Sequence, residues 1–199
     1  SSAIIESVLP RKGAFVRKAV GEPQQEQIVA ANIDTVFLCM ALNHDFNLRR
    51  LERYISIAWD SGAMPVIILT KSDLCDDLEN KLSEVSSVAF GIDVLVTTST
   101  EENGYKELLP LISEGKTIAF IGSSGVGKST LMNLLAGTQK SIVTAIPGTT
   151  RDVVEETVLA GEIVLRLADT AGIRDTVPAI SAIHIRILCR KMMSLSLLP

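Results

Sequence analysis

Between residues 34 and 121 the chain alternates continuous apolar runs with segments whose apolar residues recur every three or four positions. The runs DTVFLCMAL (34–42), PVIILT (65–70), IDVLVT (92–97) and KTIAFI (116–121) have the length and continuity of strands buried on both faces. DFNLRRLERYISIAWDSG (45–62) sets Leu48, Leu51, Ile55 and Ala58 at helical spacing, with Asp45 or Asn47 to cap its start and Gly62 to end it. DDLENKLSEVSSVAF (76–90) is a second amphipathic helix, GYKELLPLI (104–112) contains a short one, and STLMNLLAG (129–137) stops at Gly137. DVVEETVL (152–159) and IVLRLAD (163–169) alternate with period two across a tight AGE, which predicts an antiparallel hairpin at a sheet edge. The pattern therefore predicts an α/β fold with six strands, mostly parallel, and helices on both faces.

The two ends carry weaker patterns. LPRKGAFVRKAVG places Arg11, Lys12, Arg17 and Lys18 around Phe15, as either a strand of a small β-unit or a basic arm. Residues 1–20 are set apart on that ground, and 21–33, polar and containing Pro23, read as a linker. Residues 34–176 form the main domain, and 177–199, only loosely periodic, are a tail read as a helix or a non-native end; His184 within it is incidental.

Composition adds bounds rather than chemistry. With 199 residues, 47% hydrophobic and 21% charged, the chain has the make-up of a soluble α/β domain with a substantial core. A net charge of −4 argues against binding nucleic acid by bulk charge alone, although a local basic patch stays open. The three cysteines, Cys39, Cys75 and Cys189, make no metal or redox spacing and read as free thiols in a reducing compartment. No apolar run nears the ~18 residues of a membrane span and no signal pattern opens the chain, so a cytoplasmic monomer without a membrane partner is expected.

The chemistry begins where the fourth parallel strand ends. Gly122, Ser123, Ser124, Gly125, Val126, Gly127, Lys128 and Ser129 match G-x-x-x-x-G-K-S/T in its strand–loop–helix setting, with Thr130 following. Such a loop turns backbone N–H groups around phosphates, Lys128 reaches the β and γ phosphates, Ser129 offers a hydroxyl to Mg²⁺, and the helix N-terminus adds positive charge. DTAG (169–172) closes the strand 163–169: Asp169 suits Mg²⁺ and the Gly172 amide suits a γ-phosphate. PGTTRD (147–152) lies between, with Thr150 first and Thr149 second as the threonine that closes over the metal. TKSD (70–73) ends the second strand as a guanine reader: Asp73 accepts from guanine N1–H and the exocyclic amine, which adenine does not offer, the Lys71 stem packs on the base, and Thr70 stands in the place more often held by asparagine. TTST (97–100) ends the third strand, with Thr98 and Ser99 as candidates to present a backbone amide to guanine O6. GTP or GDP with Mg²⁺ is the implied ligand.

In chain order these motifs run base reader, base loop, phosphate loop, threonine, Mg²⁺ aspartate. A usual GTPase runs the same cycle from the phosphate loop. The fold expected is therefore a three-layer P-loop GTPase, circularly permuted, which is feasible because domain termini commonly lie close together.

LPRKGAFVRKAVGE, QIVAANIDTVF, NLRRLERYISIAWDSGAMPVIILTKSDL and GSSGVGKSTLMNLLAG, over about 10–137, resemble the circularly permuted ribosome small-subunit-dependent GTPase A (RsgA/EngC) family. The resemblance implies GTP hydrolysis stimulated by the small ribosomal subunit, contact with its rRNA, and a role in late subunit maturation. It also implies an oligonucleotide-binding (OB) barrel before the GTPase, of which residues 1–20 supply a remnant, and a zinc-binding domain after it, for which no ligands follow. Residues 141–176 resemble instead the tRNA-modification GTPases of the MnmE kind, whose potassium-coordinating asparagine is Gly125 here. Ile173 stands where Ras-like enzymes carry a water-positioning glutamine, and Arg151 and Arg174 are finger candidates by nearness alone, so slow turnover without a partner is expected. The alternatives are a tRNA-modification-type GTPase and a nucleotide-binding module that does not turn over.

Overall fold

A computed structural model describes residues 7, 10–18, 26–101, 103–113, 115–136, 154–160, 163–169 and 181–190. Its centre is strand β3 (Thr35–Ala41), whose uninterrupted apolar run serves both faces of the sheet. Val36, Leu38 and Met40 join one core cluster; Phe37, Cys39 and Ala41 join the other. That is the period-two division of a strand covered on both sides.

Helix α1 (Leu48–Ser61) follows, and its ends are chemically explicit. Asn47 caps it by accepting from Arg50 N at 3.0 Å, and Gly62 closes it at φ 77°, a left-handed conformation that glycine adopts without strain. Leu51, Tyr54, Ile55 and Ala58 are buried on its inner stripe, together with Val85 of α2 (Leu78–Ser86). β4 (Met64–Thr70) pairs parallel with β3, and β5 (Asp93–Val96) pairs parallel with β4. The segment at 104–112 is a 3₁₀ turn over Lys106–Leu111 rather than an α-helix, consistent with Pro110 inside it. β6 (Thr117–Gly122) pairs parallel with the other edge of β3 and runs into α3 (Lys128–Ala136). The opposite face packs Leu131, Met132 and Leu135 of α3 with Leu108 against Phe37, Ile68 and Phe120. Phe37 and Phe120, register partners on β3 and β6, meet edge to face at 5.1 Å.

The strand order β5-β4-β3-β6 gives the α/β fold with a parallel sheet. Beyond β6 the sheet departs from six mostly parallel strands. β7 (Val154–Ala160) and β8 (Ile163–Asp169) pair antiparallel, and β9 (Ser181–Arg190) lies between β8 and β6, antiparallel to both. The sheet thus has seven strands among the described residues, four parallel followed by three antiparallel. The tail read as a helix or a non-native end supplies β9. Ile183, Ile185, Ile187 and Cys189 alternate there with His184, Arg186 and Arg190, a period-two pattern obscured by Leu188.

The segment 21–33 is likewise not only a linker. β2 (Glu26–Ala31) pairs antiparallel with β1 (Ala14–Lys18) as a separate two-stranded sheet, with an irregularity between Phe15 and Val16. Phe15 is buried in the α1-side core, which docks the ribbon on the body. Among the described residues this ribbon does not amount to a barrel.

Asp34 ties together the starts of the parallel strands β3 and β6, at one end of the pair. Its carboxylate accepts from Thr117 N at 2.9 Å and from Lys116 Nζ at 3.1 Å. Partial burial acts to raise its pKa, but the Thr117 amide and Lys116 outweigh it and leave the pKa below the ordinary carboxylate value. A depressed folded-state pKa adds stability above the unfolded value, which is lost as pH falls through the folded value. Urea midpoints measured from neutral pH down through the carboxylate range will therefore fall less steeply for Asp34→Asn than for the unaltered chain. In the core, Phe120→Ala removes a fully buried ring and will cost about 3–5 kcal/mol of unfolding free energy in urea. Phe90→Ser, at an 82% exposed position, will stay within about 0.5 kcal/mol.

Candidate nucleotide site

The phosphate loop leaves β6 at Gly122, where space is short. A Cβ there would lie 2.7 Å from the Cys39 carbonyl and 2.9 Å from the Val126 side chain, so only glycine lets the loop start against β3. The turn is completed by Gly127 at φ 102°, a conformation that L side chains rarely adopt. Lys128 is 6% exposed and folds back over the loop, donating from Nζ to Gly122 O at 2.9 Å and Ser123 O at 2.7 Å. Its ammonium is therefore held on two backbone carbonyls at the start of the loop. Ser129 is half-buried in the first turn of α3, while Ser124, Gly125 and Thr130 are exposed. The Cys39 thiol beneath the loop is pushed up to about 12 by burial, against the pull of Lys128, and stays protonated.

The loop after β4, expected from its TKSD sequence to read a base, meets this loop directly. Thr70, 3% exposed, donates from Oγ1 to Val126 O at 2.6 Å, across 56 residues of sequence. Lys71 then turns through a left-handed conformation at φ 58°, and Asp73 sits exposed in the 3₁₀ turn Ser72–Leu74.

Asp73 is not loose. Thr98 Oγ1 donates to its Oδ1 at 2.7 Å. A hydroxyl has one proton, so Thr98 accepts the other two contacts, from Thr100 Oγ1 at 2.7 Å and Thr100 N at 3.2 Å. The Thr98 amide is engaged by Gly104 O at 3.1 Å. Thr98 thus orients the carboxylate through its side chain while its amide is engaged by Gly104, and Ser99 beside it is exposed. The hydroxyl run TTST was the available signal for that orienting role.

The remaining assigned residues divide. Asp169 closes β8, in register with Ile183 of β9, which is itself in register with Phe120 of β6. It lies at the phosphate-loop end of the sheet but two strand steps from β6, about 10 Å across. Thr149, Thr150, Arg151, Gly172, Ile173 and Arg174 lie outside the described residues. Asp45, considered in sequence only as a cap, is not the cap of α1: it accepts from Ser123 Oγ at 2.6 Å, and no motif pointed to that contact. Among the described residues no helix is long and apolar enough to cross a membrane, and no cluster of His, Cys, Asp and Glu has the form of a metal site.

A glycine loop clasping a buried lysine, joined to a second loop from the same end of a parallel sheet, defines an α/β P-loop nucleotide-binding domain. The RsgA GTPase family model matches residues 8–176, and the chain belongs to that family. The match includes 141–176, the stretch that resembles MnmE-type enzymes. Over 137 residues the chain is 53% identical to small ribosomal subunit biogenesis GTPase RsgA 2 of Lactiplantibacillus plantarum, covering 69% of this chain and 39% of that protein. It is 46% identical over 136 residues to small ribosomal subunit biogenesis GTPase RsgA of Opitutus terrae, covering 68% and 37%. The chain thus spans less than two fifths of the length of these relatives. Among solved structures it is similar to YjeQ from Thermotoga maritima, with a TM-score of 0.55 and 23% identity over 77% of this chain and 49% of that one, a likeness of fold.

Thr98→Val keeps the shape of the side chain and removes the donor to Asp73. Guanine nucleotide affinity will fall about tenfold, the scale of a lost hydrogen bond to a charged acceptor, with the thermal midpoint nearly unchanged; calorimetric titration with GDP reads the first and a melting curve the second.

Proposed function

We propose that this chain binds GTP and GDP and hydrolyses GTP to GDP and phosphate, in the cytoplasm, as part of small ribosomal subunit maturation. The observation that carries this is the direct bond from Thr70 to the phosphate loop, with Asp73 held ready by Thr98. It supports one site assembled from base-reading and phosphate-binding halves in circularly permuted order. The family membership and the names of the relatives support the ribosomal setting, with the small subunit and its rRNA as partners.

Lys128 and the loop amides would hold the β and γ phosphates, and Lys128 would exchange its two carbonyl partners for phosphate oxygens. Ser129, at the start of α3, fits the hydroxyl ligand of a Mg²⁺ ion bound with the nucleotide. Thr150 or Thr149 and Asp169 are its other proposed protein partners, and Gly172 the amide donor to the γ-phosphate. Mg²⁺ would neutralise charge on the phosphates. Asp73 and the Lys71 stem would select and pack the base, with Ser99 facing its O6. Ile173 supplies no group to orient water, so turnover is slow until a partner engages.

One observation favours a second reading, a module that binds nucleotide without turnover. β9 lies between β8 and β6, so Asp169 ends a strand not adjacent to the phosphate-loop strand. Calorimetry with GDP, GTP and ATP in Mg²⁺, followed by phosphate release with and without small ribosomal subunits, tests both. Guanine-only binding with subunit-stimulated phosphate release supports GTP hydrolysis in subunit maturation; binding with no release under either condition supports the module. Asp73→Asn will lose guanine affinity and gain xanthine nucleotide affinity, each by several orders of magnitude, and unchanged GTP binding would refute the assignment of the base reader.

A further inference from the structure

Asp45 lies in the turn between β3 and α1, outside every nucleotide motif, yet it touches the phosphate loop. Its Oδ2 accepts a 2.6 Å hydrogen bond from Ser123 Oγ. Arg50 Nη1 donates to both its oxygens, at 2.9 and 3.0 Å. The turn that presents it is itself held: Asp45 N donates to Asn43 Oδ1 at 3.0 Å, Phe46 N donates to Asn43 O at 3.0 Å, and Asn47 caps the helix carrying Arg50. The carboxylate is therefore fixed in place before any ligand arrives. The Ser123 bond is the largest cause of its lowered pKa; partial desolvation opposes it and Arg50 adds to it, so Asp45 is ionised at neutral pH.

The loop carries a problem that this contact answers. Ser123 O and Gly122 O accept from Lys128 Nζ. An ammonium that swings to phosphate withdraws from those carbonyls, just as the loop must keep its amides convergent. Val126 is pinned from the base-reading side by Thr70. The Asp45 bond uses the side chain of Ser123, not the carbonyl that Lys128 vacates, so it persists through the exchange. A lone carboxylate beside a phosphate site would repel the ligand, and Arg50 offsets that charge.

We propose that Asp45 is a positioning residue of the phosphate loop, mounted by Arg50 and holding Ser123 while Lys128 transfers from the loop carbonyls to an incoming phosphate chain. This rests on the assignment of residues 122–129 as a phosphate loop. The test uses the full chain as Ser123→Ala, Asp45→Ala, the double variant, and Ser123→Thr, which keeps the hydroxyl. Amide hydrogen exchange across 122–127 is measured without nucleotide, and release of a fluorescent GDP analogue is measured with it. Both single variants will exchange faster and release the analogue about tenfold faster. The double variant will be no worse than the worse single, and Ser123→Thr, which keeps the donor to Asp45, will exchange more slowly across 122–127 than Ser123→Ala. Unaltered exchange in both single variants, or effects that multiply in the double, would overturn the proposal. A chain that binds no GDP analogue refutes the guanine assignment, and the exchange comparison still decides the brace. Melting curves identify any variant that fails to fold; if Asp45→Ala does, Ser123→Ala against Ser123→Thr decides.

Discussion

The hydrogen bond from Thr70 to the Val126 carbonyl is the contact on which the site depends. β4 and β6 are not neighbours; β3 stands between them. Their terminal loops meet only by reaching over the end of β3, where Thr70 also lies 3.5 Å from Met40 O. Thr70 is buried, and of its two carbonyl acceptors Val126 O at 2.6 Å is much the closer, so the phosphate loop supplies the better partner for a hydroxyl that is costly to leave unpaired. Gly122 serves the same closure from the other side, since any side chain there would strike Cys39. Fold and site are thus coupled: the geometry that buries the sheet end is the geometry that joins the two loops.

Charge at that end is arranged in short, paired steps. Lys128 is held on carbonyls, Asp45 on Arg50 and Ser123, and Asp73 on Thr98. Each of these groups has a fixed direction in the structure. The thiol beneath the loop, by contrast, is buried and protonated, and acts as packing.

The antiparallel half of the sheet gives the domain a different character on its far side. β9 takes the edge of β6, and β8 and β7 extend outward from it. Binding groups therefore gather over the parallel half, where β3, β4 and β6 end, while Asp169 is set aside by one intervening strand.

Local chemistry made much of the molecule legible. Continuous apolar runs located β3 to β6, helical spacing located α1 to α3, and the spacing of glycines, Lys128 and Ser129 defined the phosphate loop, because each depends on neighbours within a turn or a strand. The ribbon strand β2 and the strand β9 were missed, the first among polar residues and the second in a loosely alternating tail; strand pairing, which is non-local, decided both. Asp45 shows the limit most clearly. Its sequence position beside Asn47 suits a helix cap, and only the return of the chain 78 residues later places Ser123 within reach of its carboxylate. Likewise Thr98 meets Asp73 only because β4 and β5 pair. The sequence by itself determined the elements from β3 to α3 and the glycine-lysine and TKSD motifs. Tertiary structure alone decided which hydroxyls and carboxylates hold those motifs in place, since such bonds join residues whose separation along the chain carries no local pattern.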